Sequence, residues 1–249
     1  MNEILLTTIE VFVGLILLVL IIRHPELGVT FTLASLPIVD LLPSIPLFSS
    51  VVPVMGGVTL VVFLFRLKKE KMTFHSGTMS MFVLGVLFIT WMTLTNPRAA
   101  WNGIDRNWVF TFVQLIILMF LSSRLLDTKE KFHTLMWVFS IVCLISAAVA
   151  IQQGYIAETD QASYGSSGYV DNANAAARYF IVAMVLLTYL RSVSKKPTAR
   201  FFMLVGIVIT YLGVFFTVSR TGIVLLFAAQ VLIFLSQSSG KQRRNILIF

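Results

Sequence analysis

FFMLVGIVITYLGVFFTVSRTGIVLLFAAQVLIFL, residues 201–235, decides how this chain is read. The stretch is apolar except at Ser219-Arg220 near its middle. Arg191, Lys195, Lys196 and Arg200 precede it, and Lys241, Arg243 and Arg244 follow it. A bilayer core of about 30 Å takes roughly 20 helical residues, so the stretch is too long for one crossing and suits two. Lys and Arg clusters mark the cytoplasmic side. Both ends therefore face inward, and Ser219-Arg220 falls at the outer tip of a tight helical hairpin. An arginine kept at such a place costs a few kcal/mol and marks a candidate functional site.

Working outward, composition agrees. Hydrophobic residues make up 57% of the chain, charged residues 12%, and mean hydropathy is +0.90. These values exclude an ordinary soluble domain and imply an all-α, polytopic transmembrane bundle. The net charge of +8 does not point to nucleic acid, because the cations sit in short clusters between apolar runs. The lone Cys143 cannot form an intrachain disulfide and reads as buried filler. Met1-Asn2-Glu3 lacks a basic leader region, so the first apolar run reads as a retained span.

Nine runs are expected as helices: 4–22, 27–42, 48–65, 78–95, 108–122, 133–151, 173–190, 201–218 and 220–235. With the N-terminus outside, fifteen of the nineteen Lys and Arg residues fall in inner loops. Arg98, Arg106, Arg178 and Arg220 remain at the outer face. The run 27–42 is short and carries Pro37 and Asp40, so a re-entrant or interfacial segment, with the N-terminus then inside, is the alternative there. Trp101, Trp108 and Trp137 read as interfacial anchors. One transmembrane domain, 1–249, is expected, and the new apolar run starting at 245–249 suggests a longer protein.

Three outer features could carry chemistry. Ser219-Arg220 forms the hairpin tip. The loop 153–171, with Gly154, Gly165 and Gly168, feeds a helix start at Asp171-Asn172-Ala173-Asn174. Asp171 or Asn172 is a fitting N-cap, and the positive end of that helix can accept an anion. Asn174 and Arg178, four apart, share a face. The third feature is Arg98 and Arg106, which read as snorkelling to lipid phosphates. For Arg178 that reading and a ligand contact stand level. Arg220 reads as functional, since Gly, Asn or Ser could have built the tip without a charge. Outer arginines near a helix N-terminus suit a phosphate or pyrophosphate, which the guanidinium fork grips in bidentate fashion. Among the few outer carboxylates, Glu158 and Asp160 read as solvated. His24, His75 and His133 map to the inner side, and no metal or cofactor pattern is present.

Gly168-Tyr-Val-Asp-Asn172-Ala-Asn174, followed by Phe-Thr-Val-Ser-Arg-Thr-Gly at 216–222, resembles the O-antigen ligase and Wzy-type polymerase superfamily. The resemblance is sharpest over 165–235. It implies a GT-C-like, metal-independent glycosyltransferase in the inner (plasma) membrane. Its donor would be an undecaprenyl-pyrophosphate-linked glycan, and its acceptor a lipid or glycan at the outer face. On that carry-over Arg220 is the catalytic residue gripping the pyrophosphate, with Ser219, Arg178, Asn172 and Asn174 lining the site. The chain departs from the family at Ala173, where proline is common, and at Ser166 and Ser167, where arginine is common. The family's large external loop, with a histidine proposed as base, is expected beyond Phe249, so the chain alone would be inactive.

A transporter or flippase of lipid-linked sugars is the alternative. Transporters tend to place charges and helix breaks at mid-membrane. Here the spans after Arg66 are nearly free of both, which favours surface chemistry.

Overall fold

Proline and hydropathy divide the chain into its elements. A computed structural model describes residues 3–42, 51–67, 76–95, 103–157, 168–170 and 172–236, and among them no strand occurs. The helices are α1 (Glu3–Arg23), α2 (Pro25–Ser35), a 3-10 segment (Leu36–Leu41), α3 (Val51–Leu67), α4 (Ser76–Thr95) and α5 (Gly103–Leu125). They continue as α6 (Lys129–Ala157), α7 (Ala173–Val193), α8 (Pro197–Phe216) and α9 (Arg220–Ser236). The all-helical expectation holds.

Among the described residues, three helices are long and apolar enough to cross a membrane: Lys129–Gly154 of α6, α7 and α8. The described apolar parts of α1, α3, α4, α5 and α9 are shorter. The run 27–42 does not form one helix. The 11-residue α2 spans only about 16 Å. Pro37 then falls in the first turn of the 3-10 segment, and the backbone kinks at Ile38 (φ −130°).

Two compact units emerge, Met1–Thr32 with Ile45–Phe132, and Leu33–Ser44 with His133–Phe249. In the first, α3 packs against α1 and α5, and α4 packs against α5. Phe63, fully buried, meets Phe120 edge-on at 5.8 Å. Gly28 lets α2 lie against Thr59 of α3, since a side chain there would strike the threonine.

The second unit contains the hairpin. α6 enters this unit from His133 onward; its first turn belongs to the first unit, where Thr128 Oγ1 accepts from Lys131 N–H. Lys131 Nζ also donates to Asp127 at 2.7 Å, which holds that carboxyl below its ordinary value. α7 buries Ala176, Ala177, Phe180, Ile181, Ala183, Met184, Leu187 and Leu190 in the three–four spacing of one helix face. α8 answers with Met203, Gly206, Ile207, Thr210, Gly213 and Val214. Gly213 permits the approach: a Cβ there would lie 2.9 Å from Ala147 of α6 and 3.1 Å from Phe180 of α7. Small residues at such crossings let helix backbones pack closely where no hydrophobic drive operates between them. The opposite faces are apolar as well: Phe201, Phe202, Phe215, Val224 and Phe227 are all exposed. Helices apolar all round suit a lipid environment.

Candidate functional site

α8 ends at Phe216 and α9 begins at Arg220, so three residues make the tip. Thr217 N–H closes α8 on Gly213 O (3.1 Å), and its hydroxyl donates to Val214 O (2.7 Å). Val218 follows at φ 52°, a left-handed conformation that costs a β-branched residue strain. That excursion turns the chain so that Ser219 points inward. Ser219 is only 4% exposed. Its Oγ accepts from Gly222 N–H at 2.9 Å and so caps α9. Arg220 is the first residue of α9, and its side chain is exposed.

α7 starts in the same manner. Asn172, not Asp171, is the cap: its Oδ1 accepts from Asn174 N–H at 2.8 Å. The two helix starts are joined by one bond, with Ser219 Oγ donating to Asn174 Oδ1 at 2.6 Å. Gly222 allows the approach, because a Cβ there would sit 2.7 Å from Ala177 Cβ. Two helix N-termini therefore lie side by side, each carrying roughly half a positive charge. Arg178, exposed, stands one turn along α7 from Asn174 on the same face. Neither Arg178 nor Arg220 is ion-paired with a described residue.

The connection into α7 is anchored from α6, which runs on to Ala157, so Gln153 and Gly154, expected in the loop 153–171, lie on the helix instead. Gln153 of α6 grips the Gly168 peptide twice, Oε1 accepting from its N–H (3.0 Å) and Nε2 donating to its carbonyl (3.1 Å). Ser146 Oγ accepts from Tyr169 N–H at 3.3 Å. Gly168 is required on two counts: φ is +64°, and a Cβ would lie 2.5 Å from Ser146 O. Tyr169 O accepts from Asp40 N–H at 3.4 Å, which ties the 3-10 segment to this end. The spacing Gly168-x-x-x-Asn172 was the available signal that a fixed turn stood here, but its partners on α6 carry no local mark.

Among the five expected site residues, Asn174 and Ser219 are in direct contact. Asn172 is joined to Asn174 by its cap. Arg178 and Arg220 flank the pair. Comparison of the chain with protein-family models, with curated proteins and with solved structures found no match.

What this end of the unit can do is bind an anion. Two guanidiniums offer forked N–H donors, and two helix starts add oriented backbone N–H groups. Asn174 spends its carbonyl oxygen on Ser219, and its amide nitrogen has no partner among the described residues. Among those residues no group of three His, Cys, Asp or Glu side chains is placed to hold a metal ion. His24 Nδ1 donates to Glu26 Oε1 at 3.2 Å, and His133 lies edge-on to Tyr189 at 5.9 Å between ring centroids. Arg98, Glu158, Asp160, Asp171, His75, Trp101 and 245–249 lie outside the described residues, as do the side chains of Arg106 and Trp108.

Proposed function

We propose that this protein is a membrane-embedded glycosyltransferase of the O-antigen ligase or polymerase kind, working with its hairpin tip at the outer face of the inner membrane. The observation that supports it most is the Ser219–Asn174 bond, which joins the two stretches carrying the resemblance although 45 positions separate them. The strained, buried and doubly bonded tip supports it further, because conformational cost of that kind gathers at functional sites.

In this reading Arg220 grips the diphosphate of an undecaprenyl-pyrophosphate-linked glycan, and Arg178 and the two helix starts share the charge. An acceptor hydroxyl on a lipid or glycan attacks the anomeric carbon. The bond from that carbon to the phosphate oxygen breaks, and the lipid diphosphate leaves with the electron pair. Negative charge grows on the leaving oxygen in the transition state, so donors already fixed around it lower the barrier without having to reorganise. The acceptor proton passes to a base supplied by another part of the protein, and no metal is needed in this scheme.

Arg220→Ala in the complete protein is expected to abolish glycan transfer while membrane insertion stays normal. Arg220→Lys should impair transfer as well, because a point charge cannot reproduce the fork. The assay is transfer from a defined lipid-linked glycan in membranes. Normal transfer by the alanine variant overturns the assignment and leaves the flippase as the better reading.

A further inference from the structure

The first unit holds an open groove of about 850 Å³ that the transfer reaction does not use. Its floor is one ridge of α3, Pro53, Gly57, Val61 and Phe65, together with the parallel ridge that ends at Arg66, and Ile22 of α1 closes one side. From Pro53 to Arg66 the helix rises about 20 Å. One leaflet of hydrocarbon measures about 15 Å. The groove is thus long enough to hold one acyl chain over the full depth of a leaflet, and it is apolar until its last residue.

That end is cationic and fixed. Arg66 Nη2 donates to Arg23 O at 2.7 Å and to Ile22 O at 3.2 Å, the final carbonyls of α1. The guanidinium is held by one nitrogen, and its other N–H groups have no partner among the described residues. Arg23, exposed, adds a second charge. The acid among the described residues of these turns, Glu26, is engaged with His24. The C-terminus of α1 offsets only about half a charge. A packed apolar helix would fill the trough but leave both guanidiniums without an anion. A phospholipid fills the trough and supplies the anion.

We infer that the α1–α3 groove is a binding site for one anionic glycerophospholipid, with an acyl chain along Pro53–Val61 and its phosphate against Arg66 and Arg23. Gly57 is the designed gap. A Cβ at Gly57 would meet nothing within 4 Å, so a larger side chain there enters the groove rather than the fold. The inference requires the chain to sit in a bilayer and does not depend on the transfer reaction.

The test reconstitutes the complete protein in phosphatidylcholine vesicles with a trace of spin-labelled phosphatidylglycerol or spin-labelled phosphatidylcholine, and reads the motionally restricted fraction of each. The wild-type protein should restrict the phosphatidylglycerol label more. Gly57→Leu should remove that preference without lowering the thermal unfolding midpoint. Arg23→Gln should reduce it roughly threefold to fivefold, as expected for one basic residue at an anionic surface. Equal restriction of both labels by the wild-type protein overturns the site, as does a preference that survives Gly57→Leu. A chain that does not enter the vesicles overturns both the site and the membrane reading.

Discussion

Ser219 spends one hydroxyl twice, accepting from Gly222 and donating to Asn174. Ser219→Ala removes both bonds, and loss of the cap alone costs about 1 kcal/mol. Asn174→Ala removes only the second. If the 2.6 Å contact joins the helices as described, the two effects are not additive. A double-mutant cycle on unfolding in detergent should give a coupling of about 0.5–1.5 kcal/mol. Additive losses would mean the bond contributes nothing. Val218 is the opposite case, since its side chain is 71% exposed and packs little. A left-handed residue other than glycine costs about 1–2 kcal/mol. Glycine gives back about 0.5–1 kcal/mol in lost chain entropy. Val218→Gly should therefore leave stability unchanged or raise it by up to about 1.5 kcal/mol, as read from the same unfolding curves. Asn172 as a cap and Arg220 as a tip charge were legible in the sequence because caps and tips are set by neighbours. The Ser219–Asn174 bond was not, because no local pattern records a contact across 45 positions.

Among the elements, hydropathy located the helices but misjudged their ends. α8 was expected over 201–218 and runs Pro197–Phe216. Pro197 at the first turn is preorganised for a helix start, although Pro-Thr-Ala-Arg is not apolar. The tip begins two residues early because Val218 leaves the helical region. At 27–42, apolar character suggested a span and Pro37 an interrupted one, and it is Pro37 that decides the backbone. Close helix approach was likewise hidden, since a glycine in an apolar run looks like filler. Gly222→Ala makes this measurable. An exposed helical glycine replaced by alanine gains up to about 1 kcal/mol. Here the new methyl meets Ala177 Cβ at 2.7 Å, so α9 must move away from α7. The expected result is a net loss of about 1–3 kcal/mol with helix content intact and transfer reduced. Ala177→Gly in the same chain should restore much of both. A neutral Gly222→Ala variant would show that the two helices are not in contact there.

For the whole molecule, orientation decides whether the paired helix starts can meet a substrate outside the cell. On the Lys and Arg distribution the tip is expected outward and the α7–α8 turn inward. The two turns are opposite ends of α8, a 20-residue helix of about 30 Å, so they cannot share a face if it crosses the bilayer. Site-directed labelling separates them. Cys143 is buried among Ala34, Phe139 and Ala183 and should stay silent to a membrane-impermeant maleimide. Ser219 is a poor probe because it is buried, whereas Val218 and Lys195 are exposed. Val218→Cys should label in intact cells whose outer barrier is permeabilised. Lys195→Cys should label only after the inner membrane is opened. If Lys195→Cys labels first and Val218→Cys does not, the tip faces the cytoplasm. The paired arginines would then face the wrong side for a periplasmic acceptor, and the transfer reading would fail even with every contact at the tip intact.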